Sequence, residues 1–137
     1  MAADFRSLLK ERMRIAETGE RWFEDLELGG IFYLSIQASS LHDSTPCELL
    51  EDFNAYAAFQ VTLQTKHGVF ICGKKSAWAQ LASCDWLPLF VEESPTLRVA
   101  ANVPASVVQK VYDDVSACVA AHPEMLIKKF APGVKLL

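Results

Sequence analysis

The chain has 137 residues, of which 51% are hydrophobic and 22% are charged, and its formal net charge is −4. This length suits one domain, and the composition is that of a folded globular chain rather than a disordered one. We therefore expect residues 1–137 to form a single α+β domain. The acidic excess disfavours nucleic-acid binding, because proteins that bind phosphates need the opposite charge.

The sequence also disfavours a membrane or secreted protein. No apolar stretch approaches the ~20 residues that cross a bilayer, and charged residues at positions 4, 6, 10 and 11 stand where a secretory signal needs an apolar run. The cysteines are scattered without a C-x-x-C pair, which is typical of small buried thiols in a reducing compartment; they are Cys47, Cys72, Cys84 and Cys118. We expect a cytoplasmic protein without a membrane partner.

Apolar residues near the N-terminus recur at helical spacing, namely Phe5, Leu8, Leu9, Met13 and Ala16. This pattern predicts an amphipathic helix from Ala3 to about Thr18, which ends at Gly19. The next segment, Arg21–Leu28, fits either a short helical turn or an irregular connection.

Three stretches alternate apolar and polar residues with the two-residue period of a strand that is wet on one side. They are Phe32–Ala38, Ala57–Gln64 and Leu97–Val103. Gly68 follows the second stretch, and we interpret Tyr56–Cys72 as a β-hairpin that turns at this glycine. Trp86–Val91 is predicted to be an edge strand, because its proline cannot donate to a central ladder.

Helical signals occur in the middle of the chain and near its C-terminus. The phrase Thr45–Glu48 has the residues of a capping box with proline at the first helical position, and it predicts the start of a short helix. Ala105–Ala121 carries one apolar stripe and predicts a long helix that covers the sheet. Weaker patterns predict short helices at Ser76–Ser83 and Glu124–Phe130.

Together these elements predict an α+β fold, in which an antiparallel sheet of four or five strands has helices packed on one face. The predicted hairpin is antiparallel by construction, which disfavours a doubly wound α/β fold. The polar residues of the strands are expected on the other face of the sheet, namely Tyr33, Ser35, Gln37, Gln60, Thr62, Gln64 and Arg98.

Residues with the spacing of known catalytic or metal sites are sparse. The histidines lack the spacing that lets a helix present two ligands to a metal, and no glycine-rich phosphate loop occurs, so we expect neither a metal nor another cofactor. The local candidate for a nucleophile and its base is Cys47 with His42, since a helix N-terminus favours a reactive thiolate. The alternative is that Cys47 only packs, and we assign no catalytic residue.

Residues Glu20 to Gly29 read ERWFEDLELG and resemble the opening segment of MaoC-type hotdog hydratases, which often contains an F-x-D-L-x-x-G phrase. Those hydratases carry catalytic Asp and His residues in a D-x-N-P-x-H phrase further along the chain. This sequence contains no such phrase. We therefore base neither the fold nor the activity on the resemblance.

The missing chemistry favours an interaction protein: a small acidic module that binds and blocks another protein, as inhibitors and immunity proteins do. Acidic pairs and a tryptophan beside a Pro-broken apolar run are the candidate partner-binding residues, namely Glu24, Asp25, Asp85, Trp86, Glu92 and Glu93. The alternative is a small-molecule enzyme or ligand-binding domain with a pocket between sheet and helices. A third hypothesis is homo-oligomerisation through an open sheet edge.

Overall fold

The computed structural model describes residues 4–65 and 77–122. Its strands are β1 (Glu11–Ile15), β2 (Glu20–Phe23), β3 (Leu26–Leu28), β4 (Phe32–Gln37), β5 (Ala58–Thr65), β6 (Val91–Ser94) and β7 (Leu97–Pro104). Its α-helices are α1 (Ala77–Gln80) and α2 (Ala105–Ala121). Short 3-10 helices lie at Phe5–Leu8, Phe53–Ala55 and Leu87–Leu89.

The strands form two antiparallel sheets. Five of them form one sheet in the order β3-β4-β5-β7-β6, and β1 and β2 form a separate two-stranded ribbon. The long helix α2 packs against the five-stranded sheet through its apolar stripe, with Val108, Val111 and Val115 fully buried. This confirms the predicted α+β class and the prediction of an antiparallel sheet with helical cover on one face.

The core lies between α2 and the alternating apolar residues of β4 and β5. Leu34 pairs with Leu63 and Ile36 pairs with Val61, and all four side chains are fully buried. Because side chains alternate between the two faces of a strand, a run with apolar residues at every second position buries one face and leaves the other wet. The predicted strands at Phe32–Ala38, Ala57–Gln64 and Leu97–Val103 and the helix Ala105–Ala121 are confirmed within a residue or two at their ends.

The predicted N-terminal helix is wrong. Only Phe5–Leu8 is helical, and Glu11–Ile15 instead pairs with Glu20–Phe23 as the β1–β2 ribbon. Gly19, with φ +75°, serves the turn of this hairpin rather than the end of a helix. Strand pairing also resolves the ambiguous segment Arg21–Leu28, which contains most of β2 and all of β3.

A buried arginine joins the ribbon to the loop that follows β4. Arg21 is fully buried and donates hydrogen bonds to the carbonyls of Ala38 (2.9 Å) and Leu50 (2.8 Å) and to the hydroxyl of Tyr56 (3.0 Å). Its guanidinium carbon lies 4.6 Å from the ring centroid of Phe23. The charge is held by neutral oxygen atoms and aromatic faces, and no carboxylate among the described residues forms an ion pair with it.

The capping-box prediction at Thr45–Glu48 is also wrong. The backbone of Thr45 forms an antiparallel bridge with Ala58, and its hydroxyl donates to Asn102 Oδ1 at 2.7 Å. A threonine with these partners does not cap a helix, and the next helical turn begins only at Phe53, where Asp52 accepts from the amide of Asn54.

The predicted edge strand Trp86–Val91 lies too early in the chain. Leu87–Leu89 forms a 3-10 helix, and the edge strand β6 runs from Val91 to Ser94 instead. Of the predicted short helix at Ser76–Ser83, the structure has α1 at Ala77–Gln80. The returning arm of the predicted hairpin and the predicted helix at 124–130 lie outside the described residues. None of the helices in the described parts of the chain has the length and apolar character needed to cross a membrane.

Candidate functional site

The open face, meaning the face of the five-stranded sheet opposite α2, is defined by strand register. Residues directly opposite one another in antiparallel strands place their side chains on the same face. One row across the open face is Glu27, Tyr33, Gln64 and Leu97. The neighbouring row is Ser35, Thr62, Val99 and Val91. All eight side chains are exposed or half-exposed.

The prediction that Arg98 lies on the open face is wrong. Arg98 pairs with Leu63, so its side chain lies on the face that α2 covers. There its guanidinium stacks 4.7 Å from the ring centroid of Trp78 and contacts Glu92 at 3.4 Å. Residues 97–100 of β7 thus face the opposite way to the prediction, whereas Val103 pairs with the buried Phe59 and is itself buried. The register is irregular between these two parts of the strand, opposite Phe59 and Val61.

This orientation of β7 places apolar side chains on the open face of the sheet. Because strand side chains alternate with a period of two, placing Arg98 inward turns Leu97 and Val99 outward. Val99 pairs with Val91, whose side chain is 63% exposed. We call Val91, Leu97 and Val99 the apolar strip. No local pattern indicated it, because its orientation depends on the register between β5 and β7.

One end of the open face is closed by the ribbon. Gln37, which was predicted to be wet, is buried, and its side-chain amide accepts from the backbone N–H of Phe23 (2.8 Å) and donates to the carbonyl of the same residue (3.0 Å). The side chain of Gln37 thereby replaces a backbone ladder between β4 and β2. Gln60 accepts from the amide of Asp43 at 2.9 Å, so the loop after β4 lies at the same end.

The candidate acidic residues lie at two separate places. Glu24 and Asp25 connect β2 to β3, at one edge of the five-stranded sheet, whereas Glu92 and Glu93 belong to β6 at the opposite edge. Four strand spacings of about 4.8 Å separate these edges by roughly 19 Å. Asp85 lies near α2, where its carboxylate contacts Lys110 at 2.7 Å.

The carboxylates at these places differ in how they are paired. Lys110 lowers the pKa of Asp85 through a side-chain hydrogen bond, and Asp85 raises the pKa of Lys110 in return. Glu92 is paired with Arg98. Within the described residues, Glu24, Asp25 and Glu93 belong to no ion pair. The unpaired carboxylates are the ones whose charge remains available to a ligand or partner.

The tryptophans also differ in accessibility. Trp86 is only 2% exposed, and its indole N–H donates to Asp114 at 2.8 Å, so its ring anchors the 3-10 helix Leu87–Leu89 to α2. Trp78 is buried as well. Trp22 is the half-exposed tryptophan and lies on β2 opposite the exposed Met13. A partner that meets the surface around Trp86 would touch its neighbours rather than its ring.

The structure does not form the candidate pair of Cys47 and His42. The Cys47 thiol lies 3.2 Å from the backbone carbonyl of His42 and 3.4 Å from that of Ser40. The His42 ring is buried and bonds through Nδ1 to the hydroxyl of Ser39 at 2.8 Å. It also packs edge to face with Trp22 at 4.4 Å. The thiol thus meets the backbone of His42 and not its ring, so the two groups do not form a nucleophile and base in this structure.

In the parts of the chain that the structure describes, no group of three His, Cys, Asp or Glu side chains is placed to hold a metal ion. The chain matches no protein-family model, no curated protein and no solved structure. The geometry of its own surface is therefore the basis for a functional proposal.

Proposed function

We propose that the chain is a small acidic, single-domain module that binds another protein and blocks or scaffolds it, in the manner of an inhibitor or immunity protein. The observation that carries this proposal is the apolar strip of Val91, Leu97 and Val99 on the open face. Protein interfaces combine an apolar centre with a polar rim. Here Thr62 and Gln64 border the strip on β5.

The charges at the sheet edges support a partner with a basic surface. Glu24 and Asp25 at one edge and Glu93 at the other are exposed and belong to no ion pair within the described residues. Complementary charges around an apolar contact speed association and select among partners. The net charge of −4 acts in the same direction at longer range.

The packing between α2 and the sheet gives little support to the alternative, a small-molecule enzyme or ligand-binding domain with a pocket in that space. Phe59, Val108, Val111 and Val115 are all fully buried there. The polar groups that such a site needs do not converge, since His42 and Cys47 are turned to different partners.

We also propose that the module acts in the cytoplasm. Cys47 and Cys84 are free thiols, and Cys47 is exposed. Free, accessible cysteines are typical of proteins that stay in a reducing compartment.

A capture experiment with matched variants tests the proposed function. The immobilised chain is incubated with a lysate of its native host, and bound proteins are quantified by mass spectrometry. We expect one stoichiometric partner for the wild type, and we expect V99E to lose it because a charge in the apolar strip must be desolvated on binding. A120E is the control, since Ala120 is exposed on α2, away from the open face.

Circular dichroism of both variants checks that they fold. The proposal predicts that A120E retains the partner captured by the wild type. Absence of any stoichiometric partner, or equal capture by V99E and the wild type, would overturn it.

A further inference from the structure

A groove of about 380 Å³ runs along the outer edge of β3. All three residues of β3 line it, together with residues before β1, in the β2–β3 connection and on α2; the lining is Leu8, Lys10, Glu24, Asp25, Leu26, Glu27, Leu28 and Tyr112. Strand β3 is the last strand of the five-stranded sheet, so within the described residues its outer edge has no strand partner. Such an edge presents backbone N–H and C=O groups that can pair with another strand.

The groove has an apolar floor and an acidic rim. Leu26 and Leu28 pair with the buried Leu34 and Phe32, so they lie on the core side of the sheet, whereas Glu27 pairs with Tyr33 on the open face. Three acidic residues line the groove, Glu24, Asp25 and Glu27, against one basic residue, Lys10. None of these three carboxylates forms an ion pair with another described residue.

We propose that this groove binds an extended segment of the partner protein, in which basic residues alternate with apolar ones, by adding it as a strand to the edge of β3. The inference rests on the proposed function and specifies the chemistry of the partner. Strand addition supplies backbone hydrogen bonds, and alternate side chains supply specificity.

The two faces of the added strand meet different surfaces. On the core side, its apolar side chains contact the floor formed by Leu8 and Tyr112, next to Leu26 and Leu28. On the open side, its lysine or arginine side chains lie beside Glu27. The charge of the rim selects basic segments over acidic ones.

Fluorescence anisotropy with synthetic peptides tests the inference on the full chain. The probe is a fluorescein-labelled octapeptide of alternating lysine and valine, and the matched peptide replaces lysine with glutamate. We expect the wild type to bind the lysine peptide at least about tenfold more tightly than the glutamate peptide. E24Q/D25N/E27Q should weaken binding of the lysine peptide about tenfold, the product of three contacts that each change affinity about twofold.

The control variant E17Q/D43N/E48Q removes three exposed carboxylates elsewhere and changes the net charge by the same amount. We expect it to bind within about twofold of the wild type. If both triple variants weakened peptide binding equally, binding would depend only on the net charge of the chain, and the proposed site would be wrong. Equal affinity for the lysine and glutamate peptides would overturn it as well.

Strand addition can be tested separately, because only every second backbone N–H of an added peptide points toward β3. Two forms of the lysine peptide carry N-methyl groups on alternate residues, in one frame or the other. We expect one frame to lose binding and the other to retain it, whereas retention in both frames would contradict strand pairing.

Light scattering of the chain alone tests whether a second copy of the chain occupies the groove instead. A dimer that E24Q/D25N/E27Q dissociates would assign the groove to a second copy and overturn the partner assignment.

Failure of these peptides, with capture of a partner still sensitive to V99E, would refute the groove and leave the proposed function standing. Peptide binding without any captured partner would support the groove as a binding site and overturn the proposed function.

Discussion

We expect His42 to make the free energy of unfolding of this chain fall at acidic pH. Its ring is 2% exposed, and Nε2 is buried without a hydrogen-bond partner in the described residues. Burial lowers the pKa of His42 below its ordinary value of 6.5, and the nearby Arg21 lowers it further, whereas Asp43 and Glu20 act weakly in the opposite direction. The folded chain therefore holds this ring neutral at pH values where the unfolded chain protonates it.

The magnitude follows from proton linkage. Well above pH 6.5 the ring is neutral in both states and contributes no pH dependence. Below pH 6.5 the unfolded state binds a proton that the folded state does not, so the free energy of unfolding falls as the pH falls toward the folded-state pKa. At pH 5.5 the loss is at most about 1.4 kcal/mol, which is RT ln(1 + 10) for an unfolded pKa of 6.5.

Urea denaturation at pH 7.5 and at pH 5.5, on the wild type and on H42N, measures this term. The other titrating groups are common to both proteins, so the difference between their two pH dependences isolates His42. We expect H42N to lose up to about 1.4 kcal/mol less than the wild type over this interval. An identical pH dependence for the two proteins would refute the assignment of a buried neutral histidine.

Three substitutions test packing, and urea denaturation measures each of them. Arg21→Ala leaves one buried and one partly buried carbonyl without their donor and should cost about 2–5 kcal/mol; a loss below about 1 kcal/mol would contradict the role given to the guanidinium. Gly29→Ala should cost about 1–3 kcal/mol, because φ is +64° and a Cβ would lie 2.9 Å from Val119 Cγ2; a combined V119A should recover part of the loss. Trp86→Phe keeps an aromatic ring but removes the hydrogen bond to Asp114 and leaves a smaller buried side chain, and should cost at least about 1–2 kcal/mol; an unchanged midpoint would show that neither the hydrogen bond nor the full indole is needed to hold this segment.

Local sequence patterns predicted those elements whose apolar residues also pack together in the folded core. β4, β5 and α2 each carry a strict apolar period, and their apolar residues meet one another in the core. Segments with a mixed pattern were misassigned. Arg12-Met13-Arg14-Ile15 alternates as well as a strand does, yet the spacing of Phe5, Leu8 and Leu9 outweighed it, and a glycine after the segment suits both a helix end and a hairpin turn.

The candidate site could be predicted only in part. The charges of Glu24 and Asp25 predict a binding role, and both residues line the groove beside β3. The local sequence around Trp86 predicts an exposed anchor, but its indole N–H bonds to a carboxylate of α2, which is distant in sequence, and the ring is buried. Exposure of a tryptophan depends on what folds over it, and no local pattern contains that information.

The sequence by itself determined the class of this protein, because the period of two in β4 and β5 and the stripe on α2 require a one-sided sheet with a helical cover. Only the tertiary structure decided which residues face outward. Pairing Arg98 with Leu63 instead of exposing it turned Leu97 and Val99 onto the open face, and placing β3 at the sheet edge left a groove beside its acidic rim. Both outcomes depend on register and strand order, which arise from contacts between residues far apart in the chain.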